Sequence, residues 1–233
     1  MPPIPRYAIY YAPPQGTALD QFGAEMLGYN ARVGATLPFP KDVVEEQPDW
    51  HHLSEDPRKY GFHATLKAPM ALADGKTERA LLAACAEFAN TARPIPLITP
   101  IVNSISGFIA LIPGGRSSEL DQLAADAVCA FDSFRAPLTA EDRARRNPAK
   151  LTPRQVDYLD RWGYPYVMEE FRFHMTLTGP LDQAKRERVI VMLRQSFARL
   201  KLTELAVDRI ALFKQTDAKA RFTIIGDWPL RAR

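Results

Sequence analysis

The sequence predicts one α+β domain of two related, pseudo-symmetric lobes, with two antiparallel-rich sheets flanked by helices and a groove between the lobes. Two observations lead to this prediction. The pattern Phe-His-x-Thr-Leu occurs twice, at residues 62–66 and 173–177. Each copy is followed by a helix-like stretch and a pair of strand-like stretches, and no Gly/Ser-rich linker divides residues 1–233. The chain is therefore expected to be a single domain in which each lobe contributes one His-x-Thr strand.

In the first half, β-branched and aromatic runs predict strands, and a 3.6-residue apolar period predicts helices. This gives, in order, a strand at 6–12, a helix at 17–33, an irregular Pro-rich stretch at 35–60, the first motif strand at 61–67, a helix at 77–92, and strands at 95–102 and 104–112. Thr17 and Thr77 are expected to begin the helices, and Pro69 to end the motif strand. Asn103 is expected at the turn between the last two strands.

In the second half, a helical region precedes the second motif strand, which is again followed by a helix and a pair of strands. The elements are a helix at 118–134, two short charged helices within 139–161, the second motif strand at 171–178, a helix at 182–200, and strands at 203–213 and 221–225. Thr139 and Thr152 are expected to begin the two short helices.

Composition is typical of a globular protein. Of the 233 residues, 46% are hydrophobic and 24% are charged, with a net charge of +3 and a pI near 8.9. This mild charge favours a small anionic substrate over a long nucleic acid, which leaves RNA as a less favoured partner. No signal-peptide pattern and no run of 18 apolar residues occurs, so a cytoplasmic location without a membrane partner is expected. Cys85 and Cys129 are expected to be reduced and buried.

The repeated motif indicates catalysis on a phosphodiester. Residues i and i+2 of a strand share a face, so His63 and Thr65 should lie on one face, as should His174 and Thr176. The chain has only four histidines, and two of them lie in the repeat. A neutral and a protonated imidazole can serve as base and acid, and the two hydroxyls can donate to phosphoryl oxygens. No metal or other cofactor is required.

The same alternation extends the predicted site. Lys67 lies two residues after Thr65, and Arg172 lies two before His174, so both are expected to face the groove and contact phosphate. The alternative is that they are solvent-exposed charges at strand edges. Gly61 is expected on the groove face, where its missing side chain would leave room for substrate.

Aromatic and basic residues near the second motif have two interpretations each. Tyr164 and Tyr166 precede the motif in a Pro-containing loop, and either could stack on a base or sugar or belong to the core. The basic residues between 143 and 154 could form a lid over an anionic substrate or a solvated helix face. The adjacent His51 and His52 are expected in a loop, away from any metal site.

At its two motifs and in segments 6–13, 60–67 and 162–166, the chain resembles the 2H phosphoesterase superfamily. The segments that flank the motifs are most similar to those of a bacterial branch associated with phosphonate-metabolism operons. The resemblance implies a bilobal fold and a metal-independent phosphodiesterase acting on a small cyclic or nucleotide/sugar phosphodiester, with His63, His174, Thr65 and Thr176 as the catalytic set. The alternatives are RNA-end processing or a 2′,5′ RNA ligase-like activity, and a non-catalytic nucleotide-binding module.

Overall fold

A computed structural model describes residues 5–233 and contains a main sheet, two small two-stranded sheets and helices around them. The strands are β1 (Arg6–Tyr11), β2 (Tyr29–Asn30), β3 (Ala35–Thr36), β4 (Ala64–Met70), β5 (Leu97–Ile98), β6 (Pro100–Ile105), β7 (Phe108–Pro113), β8 (Met175–Thr176), β9 (Leu205–Ala206), β10 (Arg209–Gln215) and β11 (Thr223–Pro229). The helices are α1 (Ala18–Leu27), α2 (Lys41–Glu46), α3 (Trp50–Leu53), α4 (Glu55–Arg58), α5 (Glu78–Asn90), α6 (Ser118–Phe131), α7 (Ala140–Arg145), α8 (Pro153–Trp162) and α9 (Gln183–Ala198).

The main sheet has seven strands in the order β11-β10-β1-β4-β8-β7-β6, and every neighbouring pair is antiparallel. The predicted α+β class is confirmed. The two antiparallel halves, β11-β10-β1-β4 and β8-β7-β6, meet edge to edge where β4 pairs with β8. That junction consists of one residue pair, Ala64 with Met175, so the two halves form a single sheet with a narrow seam.

The two halves of the chain exchange their strand pairs. The β6–β7 hairpin, which follows the first motif, joins the second motif strand β8. The β10–β11 pair, which follows the second motif, joins β1 beside the first motif strand β4. Each half of the sheet therefore needs strands from both halves of the sequence.

Strand β1 is buried on both faces. Tyr7, Ile9 and Tyr11 belong to the larger hydrophobic core. Ala8 and Tyr10 alternate with them and belong to a smaller core on the other face. The period-2 alternation of a strand thus separates two cores, which explains why this segment is continuously apolar.

Helix starts agree with the sequence prediction. The side chains of Thr17, Thr77, Thr139 and Thr152 each accept a hydrogen bond from a backbone N–H in the first turn of α1, α5, α7 and α8. At α8 the cap is reciprocal, because the Gln155 side chain also accepts a hydrogen bond from the backbone N–H of Thr152.

Three predicted boundaries are wrong. The helix expected at 17–33 ends at Leu27, because Gly28 adopts a left-handed conformation with φ of 62° and the chain turns into β2. The stretch at 35–60, expected to be irregular, contains the three short helices α2, α3 and α4. The turn expected at Asn103 lies at Ser106 and Gly107, whose φ values of 50° and 91° suit a tight two-residue hairpin.

Both motif strands are displaced from their predicted bounds. β4 begins at Ala64 and continues through Pro69 to Met70, and β8 contains only Met175 and Thr176. The backbone N–H groups after β8 find other partners, since that of Leu177 donates to the carbonyl of Ile109. The predicted side-chain alternation around the second motif nevertheless holds.

Register shifts between β1 and β4 change the direction of Lys67. Thr65 pairs with Tyr10, whereas Lys67 pairs with Ile9, so β4 has one extra residue at this point. Such a bulge resets the alternation of the strand. The expectation that Lys67 shares the face of Thr65 is therefore wrong.

The Lys67 ammonium is instead buried in an ion pair. It is 3% exposed, and it donates to Asp132 Oδ1 at 2.6 Å and to the carbonyl oxygen of Val128 at 3.2 Å. Asp132 lies after α6 and also accepts a hydrogen bond from Arg135 Nε at 2.9 Å. Lys67 thus ties β4 to the end of α6, and its charge is compensated before any ligand binds.

The predicted burial of the two cysteines is confirmed for one of them and wrong for the other. Cys85 is buried and Cys129 is exposed on α6. Within residues 5–233, no helix is both long enough and apolar enough to cross a membrane.

We predict that Asp132→Ala destabilises the protein by about 3 kcal/mol, because it leaves the Lys67 ammonium buried without an anionic partner. Denaturant unfolding would measure the change. The control is Asp56→Ala, which removes an exposed ion pair with Lys59 and should change stability by less than about 1 kcal/mol. Equal effects of the two substitutions would contradict a buried ion pair at Lys67.

Candidate active site

The β4–β8 register assembles the four motif side chains. Because Ala64 pairs with Met175 in antiparallel fashion, His63 lies across from Thr176, and Thr65 across from His174. Residues directly opposite have Cβ atoms about 4.5–5.5 Å apart and diagonal neighbours about 7–8 Å apart. Ala64 and Met175 are fully buried, so the four polar side chains occupy the other face. They form a two-by-two array in which the histidines lie on a diagonal.

Each histidine is held by the same local hydrogen bond. His63 Nδ1 lies 2.8 Å from the carbonyl oxygen of Gly61, and His174 Nδ1 lies 2.6 Å from that of Arg172. A carbonyl only accepts, so in both residues Nδ1 carries the proton, and Nε2 of the neutral ring is a free base. Both copies of the motif therefore present the same nitrogen for chemistry.

His63 is packed among aromatic rings. Its imidazole stacks on Tyr10, with ring centroids 3.8 Å apart and planes 19° apart, and the Phe213 and Tyr60 rings lie 5.8 and 6.1 Å away. The Thr65 hydroxyl is 3.4 Å from His63 Nε2. This packing fixes the ring plane and leaves Nε2 beside the hydroxyl of its own motif.

His174 borders a cavity of about 250 Å³. The Phe108 ring, on β7, lies 5.5 Å from the imidazole. Thr65, Tyr164 and Tyr166 also line this cavity, which we call the groove. A small phosphodiester placed here would touch His174 of the second motif and Thr65 of the first motif.

Burial lowers the pKa of both histidines. The pKa of His63 is lowered to about 4, mainly by burial and in smaller part by positive charge on His174, against an opposing effect of the Gly61 carbonyl. Burial also lowers the pKa of His174, again opposed by a backbone carbonyl, that of Arg172. The two imidazoles repel each other when both are protonated, so the pair holds one proton more readily than two.

Both tyrosines predicted as candidate substrate contacts, Tyr164 and Tyr166, line the groove. Tyr164 and Tyr166 meet edge to face with centroids 5.6 Å apart, and Tyr166 is 47% exposed. Arg172 also lines the groove, is exposed, and within residues 5–233 its guanidinium forms no hydrogen bond or ion pair. The positions suit ligand contact, and the roles remain predictions.

Two other expected groove residues lie elsewhere. Lys67 is committed to Asp132, as described above. Gly61 does not leave room for substrate, because a Cβ there would meet the Cβ of Ala31 at 2.7 Å. Its φ of 76° instead permits the turn that aims its carbonyl at His63.

The remaining histidines take no part in the site. His51 and His52 lie in α3, not in a loop, and His51 Nε2 is 2.9 Å from a guanidinium nitrogen of Arg58. Among the described residues, no group of three or more His, Cys, Asp or Glu side chains is placed to hold a metal ion.

Sequence reasoning missed the residues that orient the histidines. The stacking of Tyr10 on His63 depends on the β1–β4 register, and the contact of Phe108 with His174 depends on the pairing of β7 with β8. Both are long-range pairings for which the sequence contains no local signal. The hydrogen bond from Nδ1 to the carbonyl two residues earlier does have a local sequence signal, because it recurs in both copies of the motif.

Comparison with known proteins adds a family and several relatives. The model of the family described as "Protein of unknown function (DUF1045)" matches residues 65–223, which include the second motif. Two curated relatives are both named "Ribose 1,5-bisphosphate phosphokinase PhnN". The one from Janthinobacterium sp. (strain Marseille) is 35% identical over 223 residues, covering 93% of this chain and 49% of that protein. The one from Laribacter hongkongensis (strain HLHK9) is 32% identical over 219 residues, covering 94% and 50%. The chain thus spans about half the length of these relatives.

Two solved structures align over nearly the whole chain at low sequence identity. The crystal structure of E. coli LigT complexed with ATP is 14% identical, with a TM-score of 0.46, and covers 98% of this chain and 99% of that one. A conserved protein of unknown function from Agrobacterium tumefaciens str. C58 is 12% identical, with a TM-score of 0.46, and covers 95% and 84%.

We predict that Gly61→Ala destabilises the protein more than Gly75→Ala. Both glycines have φ of 76°, where an alanine is strained by about 1–2 kcal/mol, but a Cβ at position 75 meets nothing within 4 Å. The alanine at 61 must also displace Ala31, and it should shift the carbonyl that holds His63. Thermal unfolding would measure stability, and the imidazole NMR signals of His63 would report the ring position. Equal melting temperatures and unshifted His63 signals would contradict this role of Gly61.

Proposed function

The chain belongs to the family of proteins of unknown function DUF1045, and we propose that it is a metal-independent phosphodiesterase. The observation that supports this proposal is the diagonal pair of histidines, each with Nδ1 bonded to a carbonyl and an unprotonated Nε2 available as a base. Binding alone would require neither two free imidazole bases nor their matched tautomers. The resemblance of both motifs to the 2H phosphoesterase superfamily agrees with the proposal.

In the proposed hydrolysis the substrate phosphorus lies between the two Nε2 atoms. One imidazole takes a proton from water as the water oxygen bonds to phosphorus. The bond from phosphorus to the leaving oxygen breaks, and that oxygen takes a proton from the imidazolium opposite. A cyclic phosphodiester and one water thus become one phosphomonoester with a free hydroxyl.

We assign His63 as the base and His174 as the acid. Burial holds the pKa of His63 near 4, so this ring stays neutral over the working range of pH. The pKa of His174 is lowered too, but an anionic phosphate in the groove favours its charged form. The single proton that the pair holds is therefore placed on His174.

Thr65, Thr176 and Arg172 are assigned to the non-bridging oxygens. The two hydroxyls flank the histidines on the same face, where each can donate to an oxygen as its charge grows. The uncompensated guanidinium of Arg172 lines the same cavity and suits a bidentate contact with phosphate. Tyr164 and Tyr166 are assigned to the sugar or base of the substrate.

The names of the curated relatives suggest the chemical class of the substrate. Both are named as kinases of a ribose bisphosphate, and this chain matches about half of each. The chain lacks the G-x-x-x-x-G-K-[S/T] pattern of P-loop kinases, so we propose no kinase activity for it. We propose that it acts on a sugar or nucleoside cyclic phosphate, in phosphonate metabolism, as the resemblance to the phosphonate-linked branch also implies.

A substrate panel tests the proposal. Purified protein would be incubated, with and without EDTA, with 2′,3′-cyclic nucleotides, ribose cyclic phosphates and short RNAs. Turnover of a cyclic phosphate that survives EDTA supports a metal-independent phosphodiesterase. Preferential processing or joining of RNA ends would contradict the proposal and indicate an RNA-end activity. Binding without turnover would indicate a nucleotide-binding module.

We predict that His63→Ala and His174→Ala each lower turnover by about 10²–10⁴, the usual contribution of a positioned acid or base. Thr65→Ala and Thr176→Ala should lower it less, by at most about 10²–10³. The double histidine variant should be barely slower than either single one, because acid and base act as a unit. His52→Ala, at an exposed position of α3, is the matched control. Near wild-type turnover in either single histidine variant would refute the mechanism.

We predict a bell-shaped dependence of kcat/KM on pH, with its maximum between about 4 and 6.5. The base must be neutral, which requires a pH above the lowered pKa of His63. The acid must be protonated, which requires a pH below the pKa of His174, itself lowered from its ordinary value. In kcat the alkaline limb should move to higher pH, since bound phosphate raises the pKa of the acid. Circular dichroism at each pH would confirm that the protein stays folded, and a kcat/KM maximum above pH 7 would contradict the prediction.

A further inference from the structure

A second cavity of about 260 Å³ lies near His63, since Tyr60 lines it and the Tyr60 ring centroid is 6.1 Å from that of His63. We call it the arginine cavity. Its lining residues are Arg6, Tyr60, Pro69, Met70, Ala71, Arg135, Ala136, Pro137, Leu138, Asp142, Arg145, Arg146 and Gly163. Four of them are arginines and one is a carboxylate, so the cavity is strongly positive.

Two of these arginines are already paired with carboxylates, although Arg135 shares Asp132 with Lys67. Arg135 donates to both carboxylate oxygens of Asp132, at 2.9 and 3.2 Å. Arg145 forms an ion pair with Asp142, the carboxylate of the cavity wall. They shape the cavity, and their guanidinium groups are already held by these carboxylates.

The other two have no acidic partner among residues 5–233. Arg6 Nε donates to the neutral amide oxygen of Gln215 at 2.8 Å, and its guanidinium lies 5.4 Å from the centre of the Phe222 ring. The guanidinium of Arg146 lies 5.0 Å from the centre of the Tyr164 ring. Aromatic faces hold both groups in place without cancelling their charge.

Aromatic side chains connect the arginine cavity to the groove and to His63. Tyr60 lines the arginine cavity and lies 6.1 Å from the His63 ring. Tyr164 lines the groove and supports Arg146 of the arginine cavity. Between them, Tyr10 stacks on His63 and has Arg6 and Arg146 close enough to oppose the burial that raises the pKa of its hydroxyl.

We propose that the arginine cavity binds a second phosphate of the same substrate, a terminal phosphomonoester, while the phosphodiester lies between His63 and His174. This inference rests on the proposed function. It narrows the substrate class to sugar or nucleoside cyclic phosphates that carry an additional phosphate. Arg6 and Arg146 are the groups that recognise this phosphate, since a guanidinium matches two phosphate oxygens at once.

The test compares one pair of substrates. The cyclic phosphate that the protein cleaves fastest would be compared with the same compound phosphorylated on its primary hydroxyl. The phosphorylated form should have a kcat/KM about 10–100-fold higher, the worth of one or two charge-assisted hydrogen bonds. Arg146→Gln and Arg6→Gln should each reduce this ratio towards one. Arg143→Gln, on α7 three residues before Arg146 but paired with Asp160, is the matched control and should leave the ratio unchanged.

A binding measurement keeps the inference testable if no compound of the panel is cleaved. Ribose 5-phosphate would be titrated into the wild type, the Arg146→Gln variant and the Arg143→Gln variant by calorimetry, with ribose as the reference ligand. We expect the wild type to bind ribose 5-phosphate, Arg146→Gln to weaken this binding at least tenfold, and Arg143→Gln to leave it unchanged. This result would support a phosphate site in the arginine cavity even if the protein is no phosphodiesterase. A substrate ratio near one in the wild type, or equal binding by all three proteins, would overturn the inference.

Discussion

The candidate site depends on one pair of residues in the centre of the sheet. Ala64 and Met175 are the only partners that join β4 to β8 among the described strands, and their antiparallel register decides which motif side chains become neighbours. A shift by one residue would turn one His-Thr pair to the buried face, because side chains alternate along a strand. Both residues are fully buried, and this burial fixes the register.

The sequence predicted what depends on local patterns. The α+β class, the helix starts at Thr17, Thr77, Thr139 and Thr152, and the side-chain parity of the second motif all follow from capping chemistry and alternation within a few residues. The direction of the Lys67 side chain could not be predicted in this way, because the bulge in β4 opposite β1 has no signature in the sequence of β4 itself. The turn at Gly61 and the pairing of each motif with aromatic residues of distant strands were equally beyond the reach of local patterns.

Burial of the histidines has a chemical consequence that the motif alone does not reveal. An imidazole exposed to water would be protonated about half of the time near pH 6.5. In this site desolvation and mutual repulsion both disfavour charge, so the empty pair is predominantly neutral at pH 7. An anionic phosphate supplies the compensating charge, and in the proposed mechanism it brings the pair to the singly protonated state. Substrate binding and activation of the acid are then the same electrostatic event.

The exchange of strand pairs makes the site a property of the whole chain. β4 carries the first motif and is flanked by β1 and β8, whereas β8 is completed by the hairpin β6–β7 from the first half of the sequence. Neither half can form its part of the sheet alone, since each lacks strands that the other supplies. Pairings between residues so distant in sequence form late and slowly in folding, because the loops that they close are long. The two histidines are thus brought together only when both lobes are complete, which favours a site that is either fully assembled or absent.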